Sequence, residues 1–274
     1  LMRYDGGREN GHNRFRRLLK EHYSILGKPG RPSQAPHCIM SWGALPTEQM
    51  LERLSFYKKQ ALVFEYFWVD AGWYGSPDGF CPSEHVGDWG RQTGNWEVNL
   101  NTHPDAMQEV AAAVRENAMK FLLWIEPERA VASNPVPRAR PELFLRLPGS
   151  DGEHDNLLLD LGNPDAFKYA LDTVSGYIER FDLGCYRQDF NMDPLAYWEG
   201  NDEPERSGMN EIRHINGLYA LWDALLARFP GLIIDNCASG GRRIDIETLR
   251  RSVPLWRSDY QCVWDADAEA TQTQ

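Results

Sequence analysis

The chain has 274 residues, of which 42% are hydrophobic and 25% charged, a composition typical of a folded globular protein. Its net charge of −11 speaks against general binding to nucleic acid, which requires a basic surface. No run of about 18 apolar residues predicts a transmembrane helix, and the odd number of five cysteines favours reduced thiols and a cytoplasmic location over a disulfide framework.

Residues 1–37 are basic and polar and end in a turn-rich stretch, so we interpret them as a lead-in or linker from a preceding domain. Because Met2 is not the first residue, we expect the natural start to lie upstream. Short apolar runs then predict strands at residues 38–42, 62–70, 120–126, 156–161, 185–190, 232–237 and 253–259. Amphipathic segments predict helices from Thr47 onwards, over 104–118 and 164–180, up to Phe229, and over 244–251.

The alternation of strands and helices indicates a parallel sheet, either in a closed barrel or in a doubly wound arrangement. Polar residues follow nearly every run, as at the carboxyl end of a (β/α)8 barrel, and no run opens into a glycine-rich phosphate-binding turn. We therefore predict an α/β fold, a (β/α)8 TIM barrel over residues 38–274. Because seven runs are found instead of eight, we expect the barrel to be truncated after strand seven and incomplete at its C-terminus.

Carboxylates stand at the ends of several predicted strands. An acid in this position is costly to desolvate unless it is paired or takes part in chemistry. We predict functional roles for Asp70, Asp189 and Asp259, because glycoside hydrolysis requires two carboxylates beside the scissile bond. For Asp160 and Asp235, capping of the following helix is at least as good an interpretation.

Other chemistries find less support in the sequence. The seven histidines form no H-E-x-x-H motif and C-x-x-C is absent, so we predict neither a metal site nor a cofactor. We expect His214 to be a surface or capping residue. The small residues at 239–241 suit either a phosphate cradle or the close approach of a sugar ring. The ten tryptophans suit either the walls of a sugar site or a well-packed core.

Seven motifs, in order between residues 38 and 260, resemble the catalytic barrel of melibiase-type α-galactosidases, glycoside hydrolase family 36. They include V-D-A-G-W-Y-G at 69–75, W-I-E-P-E at 124–128, R-Q-D-F-N at 187–191, N-C-A-S-G-G-R at 236–242 and W-R-S-D at 256–259. Further matches lie at 87–96 and 159–164. Each motif is weak alone, and their common order carries the resemblance.

The resemblance implies a retaining exo-α-galactosidase that forms a covalent glycosyl-enzyme intermediate. Asp189 would be the nucleophile at the end of strand five, and Asp259 would be the general acid/base at the end of strand seven. The neighbouring Arg187 would lower the pKa of Asp189 and so keep the nucleophile ionised.

The resemblance also implies a set of sugar-binding residues. Asp70 would bind the 4- and 6-hydroxyls, Arg187 would lie near the 3- and 4-hydroxyls, and Asn191 would support the site. Cys237 and Gly240 would lie near the 2-substituent. Apolar walls and further contacts are expected from Trp42, Trp73, Trp89, Trp96, Glu126 and Arg257.

Three positions depart from the family pattern. Ala71 stands where the family has a second acid, Arg187 replaces a lysine and Gln188 replaces a tryptophan. Because a guanidinium fork is not equivalent to an ammonium, a 2-acetamido sugar stays open as the substrate. The alternatives are therefore an α-N-acetylgalactosaminidase, an α-galactosyl transferase or a non-catalytic carbohydrate-binding barrel.

The expected partner is an oligosaccharide or glycoconjugate with a terminal α-galactosyl-like sugar. No nucleic acid and no membrane is expected as a partner. Whether the full-length protein forms a homo-oligomer stays an open question.

Overall fold

The structure is a computed structural model that describes residues 3–76 and 89–259. The strands are β1 (Cys38–Ser41), β2 (Tyr66–Val69), β3 (Lys120–Ile125), β4 (Arg129–Val131), β5 (Phe144–Leu145), β6 (Asn156–Leu159), β7 (Leu183–Gln188) and β8 (Ile233–Asn236). The α-helices are α1 (Gly7–Leu18), α2 (Thr47–Lys59), α3 (Trp89–Gln92), α4 (Gln108–Glu116), α5 (Pro135–Ala139), α6 (Pro164–Phe181), α7 (Leu195–Asn201), α8 (Met209–Arg228) and α9 (Ile246–Leu249). A π-helical turn, Leu19–Tyr23, continues α1, and a 3-10 turn, Pro141–Leu143, follows α5.

Five parallel strands form the main sheet in the order β1-β2-β3-β7-β8. The register pairs Val69 with Leu123, Ile125 with Gln188, and Gln188 with Asn236, so the carboxyl ends of these strands lie along one edge. Amphipathic helices connect the strands, as expected for parallel neighbours. This α/β arrangement fits part of a TIM barrel.

Alternate residues of the strands face two different apolar clusters. Phe67, Val69 and Leu123 belong to the large cluster that the helices cover. Trp68 and Leu122 belong to a smaller cluster on the other face, together with Cys185, Ile233, Val253 and Ile25. Residues 1–37 therefore supply Ile25 and the partly buried Leu26 to this face of the sheet. Each fully buried side chain of this size contributes about 1.5–3 kcal/mol.

Helix α6 shows why these segments form helices. Ala166, Ala170, Val174 and Ile178 recur every four residues and are all buried, which gives the helix one apolar face. Pro164 occupies its first turn, and the side chain of Asn163 accepts a hydrogen bond from the N–H of Asp165 at 2.9 Å. The predicted helix over 164–180 is confirmed.

One predicted strand forms but lies outside the parallel sheet, and another does not form. The run at 156–161 forms β6, but β6 pairs antiparallel with β4 and β5 in a separate three-stranded sheet, and β3 pairs directly with β7. Asp189 therefore follows the fourth strand of the parallel sheet, not the fifth. The run at 253–259 contains no strand, although the N–H of Val253 donates to the carbonyl of Ile234 at 2.8 Å.

Two predicted helices also begin later than expected. The segment from residue 104 makes turns before α4 begins at Gln108, because Ala106 and Met107 have positive φ angles of 56° and 67°. The helix predicted over 244–251 is limited to the four residues of α9, Ile246–Leu249. Among the described residues, Cys38, Cys185 and Cys237 are free thiols. In the same ranges, no helix has the length and hydropathy needed to cross a membrane.

Candidate active site

A cavity of about 220 Å³ opens at the carboxyl edge of the parallel sheet. Seven of the residues that the sequence singles out line it: Trp42, Asp70, Trp89, Arg187, Asp189, Asn191 and Asp259. They come from segments that lie far apart in the sequence. The register of the sheet brings them together, because parallel strands end at the same edge.

Asp189 receives hydrogen bonds on both carboxylate oxygens. Oδ1 accepts from the backbone N–H groups of Phe190 at 2.8 Å and Ser239 at 3.2 Å. Oδ2 accepts from Nδ2 of Asn191 at 2.9 Å and from Nε1 of Trp124 at 3.0 Å. Burial would raise the pKa of Asp189, but the charge of Arg187 and these donors outweigh it and lower the pKa below its ordinary value. The carboxylate is thus ionised at neutral pH.

Arg187 lies between two carboxylates. Its Nη1 donates to Oδ2 of Asp235 at 2.5 Å, and its Nε lies 3.3 Å from Oδ2 of Asp70. The guanidinium carbon lies 4.3 Å from the ring centroid of Trp68, a cation–π contact. This arrangement fixes Arg187 at the floor of the cavity. Asp235, for which helix capping was an open interpretation, is instead a buried partner of Arg187.

Asp70 has partners of its own besides Arg187. Oδ2 accepts from Nε1 of Trp68 at 2.7 Å, and Oδ1 accepts from the backbone N–H of Ala71 at 2.9 Å. Burial raises the pKa of Asp70, and the opposing effects of Arg187, Ala71 and Trp68 do not cancel this. Asp70 is therefore closer to neutrality than Asp189, and it can exchange hydrogen bonds with hydroxyl groups.

Asp259 lies at the mouth of the cavity and is exposed to solvent. Its Oδ1 accepts a hydrogen bond from Nε1 of Trp256 at 3.1 Å. The backbone beside it packs on Gly240, whose φ is +82° and where a Cβ would lie 2.9 Å from the backbone nitrogen of Asp259. Gly240 is not among the cavity-lining residues, and its contact with this site is through the backbone at Ser258 and Asp259.

Several predicted site residues lie behind the cavity wall. Trp73 and Trp96 are buried against each other at 6.4 Å between ring centroids, and Nε1 of Trp73 donates to the carbonyl of Trp124 at 2.8 Å. The apolar wall expected from these two rings is formed instead by Trp68, Trp124 and Trp256. The sequence could have indicated that Trp68 and Trp124 lie at the cavity. Each precedes a strand-end acid by two residues, and residues two apart in a strand lie on the same face of the sheet.

Three more predicted contacts are also absent from the cavity lining. Glu126 is fully buried, pairs with Arg129 through bonds of 2.8 and 2.9 Å, and accepts from Nδ2 of Asn191 at 3.2 Å, so it orients Asn191. Cys237 is buried, and its Sγ accepts from the N–H of Gly240 at 3.3 Å. Arg257 is exposed to solvent beyond the cavity.

A second buried carboxylate of the W-I-E-P-E motif, Glu128, to which the sequence analysis assigns no role, ties the strand ends together. It accepts from Nε2 of Gln188 at 2.6 Å, Nε2 of His214 at 2.9 Å and Nη1 of Arg243 at 2.6 Å. The expectation that His214 is a surface or capping residue is wrong, because its ring is buried on α8 against Glu128. Gln188 also faces this network rather than the cavity at the carboxyl edge of the sheet.

Asp160 remains a local turn residue, since its Oδ1 accepts from the N–H of Gly162 at 3.0 Å. Residues 87 and 88 of one motif, and residues 260–274, lie outside the described residues.

A family model described as Melibiase matches residues 4–267. Alpha-galactosidase AgaA of Geobacillus stearothermophilus is 28% identical over 234 residues, which cover 84% of this chain and 31% of that protein. Alpha-galactosidase Mel36A of Lactobacillus acidophilus is 24% identical over 264 residues, covering 94% of this chain and 35% of that protein.

Solved structures show the same similarity. A double variant of GH36 alpha-galactosidase AgaA from Geobacillus stearothermophilus, in complex with raffinose, superposes with a TM-score of 0.74 at 25% identity, over 89% of this chain and 33% of that one. The alpha-galactosidase from Lactobacillus brevis gives a TM-score of 0.69 at 25% identity, over 82% of this chain and 30% of that one.

The chain thus spans about a third of the length of the curated relatives it matches. The family model covers nearly all of it, including the strand ends that build the cavity. The chain belongs to the melibiase family and represents a melibiase-type catalytic domain of glycoside hydrolase family 36.

Proposed function

We propose that this chain provides the catalytic (β/α)8 barrel region of a retaining exo-α-galactosidase, which releases terminal α-galactosyl units from oligosaccharides. The relatives are named alpha-galactosidases, and one of them has been solved with raffinose and with stachyose. The observation that carries the proposal is the pair of carboxylates, Asp189 and Asp259, on the wall of one cavity.

In the first step, a carboxylate oxygen of Asp189 attacks the anomeric carbon and forms a C–O bond to it. The glycosidic C–O bond breaks, and the leaving oxygen takes the proton of Asp259. The chemistry requires an ionised nucleophile, and the four hydrogen bonds and Arg187 provide that state. A retaining mechanism further predicts that the two carboxyl groups lie about 5–5.5 Å apart in the complex with substrate.

In the second step, Asp259 acts as general base. It accepts a proton from water while the water oxygen attacks the anomeric carbon, and the bond to Asp189 breaks. Asp259 is suited to this exchange because it is exposed at the mouth of the cavity, where the leaving group departs and water enters. The product is a sugar with the anomeric configuration of the substrate.

Sugar recognition is proposed to rest on Asp70, Arg187 and Asn191, with the indoles of Trp42, Trp68 and Trp124 as apolar walls. Ala71 lines the same cavity and offers no side-chain hydrogen bond where the family has a second acid. We therefore expect hydroxyl recognition to depend more strongly on Asp70 than in the family pattern.

The test uses the full-length protein and its Asp189→Ala and Asp259→Ala variants on aryl α-galactosides. Hydrolysis should be lost in Asp189→Ala, and the wild-type protein should release the α-anomer first, as followed by NMR. A panel with α-N-acetylgalactosaminides and β-arabinopyranosides identifies the preferred sugar. Unchanged hydrolysis in either variant contradicts the assignment, and binding of galactosides without turnover would instead support a carbohydrate-binding barrel.

A further inference from the structure

Two hydrogen bonds join Ser239, in the loop after β8, to the residues that follow β7. Its backbone N–H donates to Oδ1 of Asp189 at 3.2 Å, and its hydroxyl donates to Oδ1 of Asn191 at 2.8 Å. Ser239 is half-buried and is not among the residues that line the active-site cavity. It therefore acts on the site through these neighbours and not by touching a sugar.

The amide of Asn191 has two different ends, and their orientation matters for Asp189. Nδ2 of Asn191 donates to Oδ2 of Asp189 at 2.9 Å and to Oε2 of Glu126 at 3.2 Å. Rotating the amide by 180° would place Oδ1 against the ionised carboxylate of Asp189, where two acceptors repel each other. The amide supplies a donor to the proposed nucleophile when Oδ1 of Asn191 faces Ser239.

Arg242 determines the direction in which the hydroxyl of Ser239 donates. Nη2 of Arg242 lies 3.1 Å from Oγ of Ser239, and a guanidinium has donors only, so Oγ accepts this bond and its own hydrogen points at Asn191. Arg242 is held in turn by bonds of 2.8 Å to the carbonyl of Ala238 and to Oδ1 of Asp193. The bonds thus run from a cation through a hydroxyl and an amide to a carboxylate, an order in which each bond polarises the next.

The backbone at Ser239 provides a second observation. Its φ is +46°, in the left-handed region that glycine adopts without strain and that a residue with a Cβ disfavours. A strained residue persists where the surrounding contacts hold it in place. At Ser239 those contacts include the two bonds of its hydroxyl, to Asn191 and Arg242.

We propose that Ser239 is a positioning residue for the nucleophile, because its hydroxyl holds the amide of Asn191 with the N–H group towards Asp189. This inference rests on the proposed function, since it assigns Ser239 a role in the reaction of Asp189.

The test measures kcat/KM against pH on an aryl α-galactoside with the full-length protein. Ser239→Ala removes the hydroxyl and keeps the backbone N–H that donates to Asp189. The pH at which kcat/KM falls on the acid side should rise by about half a unit, because a less well oriented Asn191 stabilises the ionised carboxylate less. Ser239→Gly removes the same hydroxyl and relieves the strained φ, so it should show the same rise even where Ser239→Ala folds poorly.

Ser252→Ala is the matched control. Its hydroxyl donates to the carbonyl of Thr248 at 2.7 Å, so the variant also loses a serine hydrogen bond, but one without a link to Asn191. The acid side of its profile should stay in place. None of these variants alters the charged or titratable groups that interact with Asp189, which are Arg187, Asp70, Glu126, Arg129, Asp235 and Cys237.

A double variant tests whether Ser239 acts through Asn191. In Asn191→Ala the amide is absent, so adding Ser239→Ala should cause no further rise on the acid side of the profile. An unchanged profile in both Ser239 variants, or a rise of the same size in the Asn191→Ala background, would overturn the inference and leave the proposed function standing. A wild-type protein that hydrolyses no aryl α-galactoside would overturn the proposed function and the role of Ser239 with it.

Discussion

Trp124 donates a hydrogen bond from its indole Nε1 to Oδ2 of Asp189 across 3.0 Å. This contact joins the ends of neighbouring strands β3 and β7 at the carboxylate that we propose to attack the sugar. It also helps to hold the pKa of Asp189 below its ordinary value. Trp124, although it is a buried apolar side chain of β3, therefore has an electrostatic effect on Asp189.

Replacing Trp124 by phenylalanine should move the acid limb of the activity profile to higher pH. A hydrogen bond to a charged group contributes about 1.5–3 kcal/mol, so the pKa of Asp189 should rise by about one unit or more. Because the proposed nucleophile reacts only when it is ionised, kcat/KM should fall first at low pH. The measurement is the pH profile of kcat/KM on an aryl α-galactoside.

Trp68→Phe is the matched control for this prediction. It removes an indole donor from Asp70 rather than from Asp189. We expect weaker substrate binding, seen as a higher KM. The pH at which kcat/KM falls on the acid side of the profile should stay nearly unchanged. If the acid limb of the Trp124→Phe profile lies at the same pH as in the wild type, the hydrogen bond from Trp124 does not lower the pKa of Asp189.

Gly240→Ala should lower activity without a comparable loss of stability. The new Cβ would lie 2.9 Å from the backbone nitrogen of Asp259, at a φ of +82° that disfavours alanine. A displacement of the acid/base by about 1 Å can cost about a hundredfold in rate. Gly231→Ala is the control, because no atom lies within 4 Å of its Cβ position. Equal kcat values in the two variants would refute the positioning role of Gly240.

Arg187→Lys restores the residue type of the family but should destabilise this chain. The guanidinium contacts Asp235 at 2.5 Å and Asp70 at 3.3 Å and stacks on Trp68, and a single ammonium cannot replace all three contacts. Leaving one buried carboxylate short of a donor costs about 1–3 kcal/mol in the free energy of unfolding. Urea denaturation measures this, and the exposed Arg257→Lys should show no comparable change.

Glu128→Gln should change how stability depends on pH. The pKa of Glu128 is lowered from 4.5 to about 2 in the folded state. The carboxylate therefore stabilises the fold above pH 4.5, and this contribution is lost as pH falls from 4.5 towards 2. At pH 7 the variant should be less stable by about 3 kcal/mol, because Arg243 and His214 lose their anionic partner. Its stability should then decline less steeply between these pH values, as followed by urea denaturation.

Much of the parallel sheet could be predicted from the sequence. Local apolar runs predict β1, β2, β3, β7 and β8, and the acids that follow β2, β3 and β7 predict the common edge. The strand β6 was misassigned because an apolar run reports burial and not the partner strand. Its antiparallel pairing with β4 and β5 depends on two very short strands that have no clear signal.

The site could be predicted in part. Asp70, Arg187, Asp189, Asn191 and Asp259 line the cavity, as the ordered motifs imply. The buried supports could not be found, since Glu128, His214 and Arg243 meet only in the folded chain and are far apart in sequence. The number of tryptophans in the sequence also cannot show which of them line the cavity and which pack in the core. Trp73 is buried, whereas Trp68, in the preceding strand, lines the cavity.

The most direct test of the central claim, that Asp189 and Asp259 are nucleophile and acid/base, is chemical rescue by azide with NMR analysis of the product. In Asp189→Ala of the full-length protein, azide should attack from the vacated side and give β-galactosyl azide. In Asp259→Ala it should attack the covalent intermediate and give α-galactosyl azide. Azide products of the same configuration from both variants would contradict the assignment of the two roles.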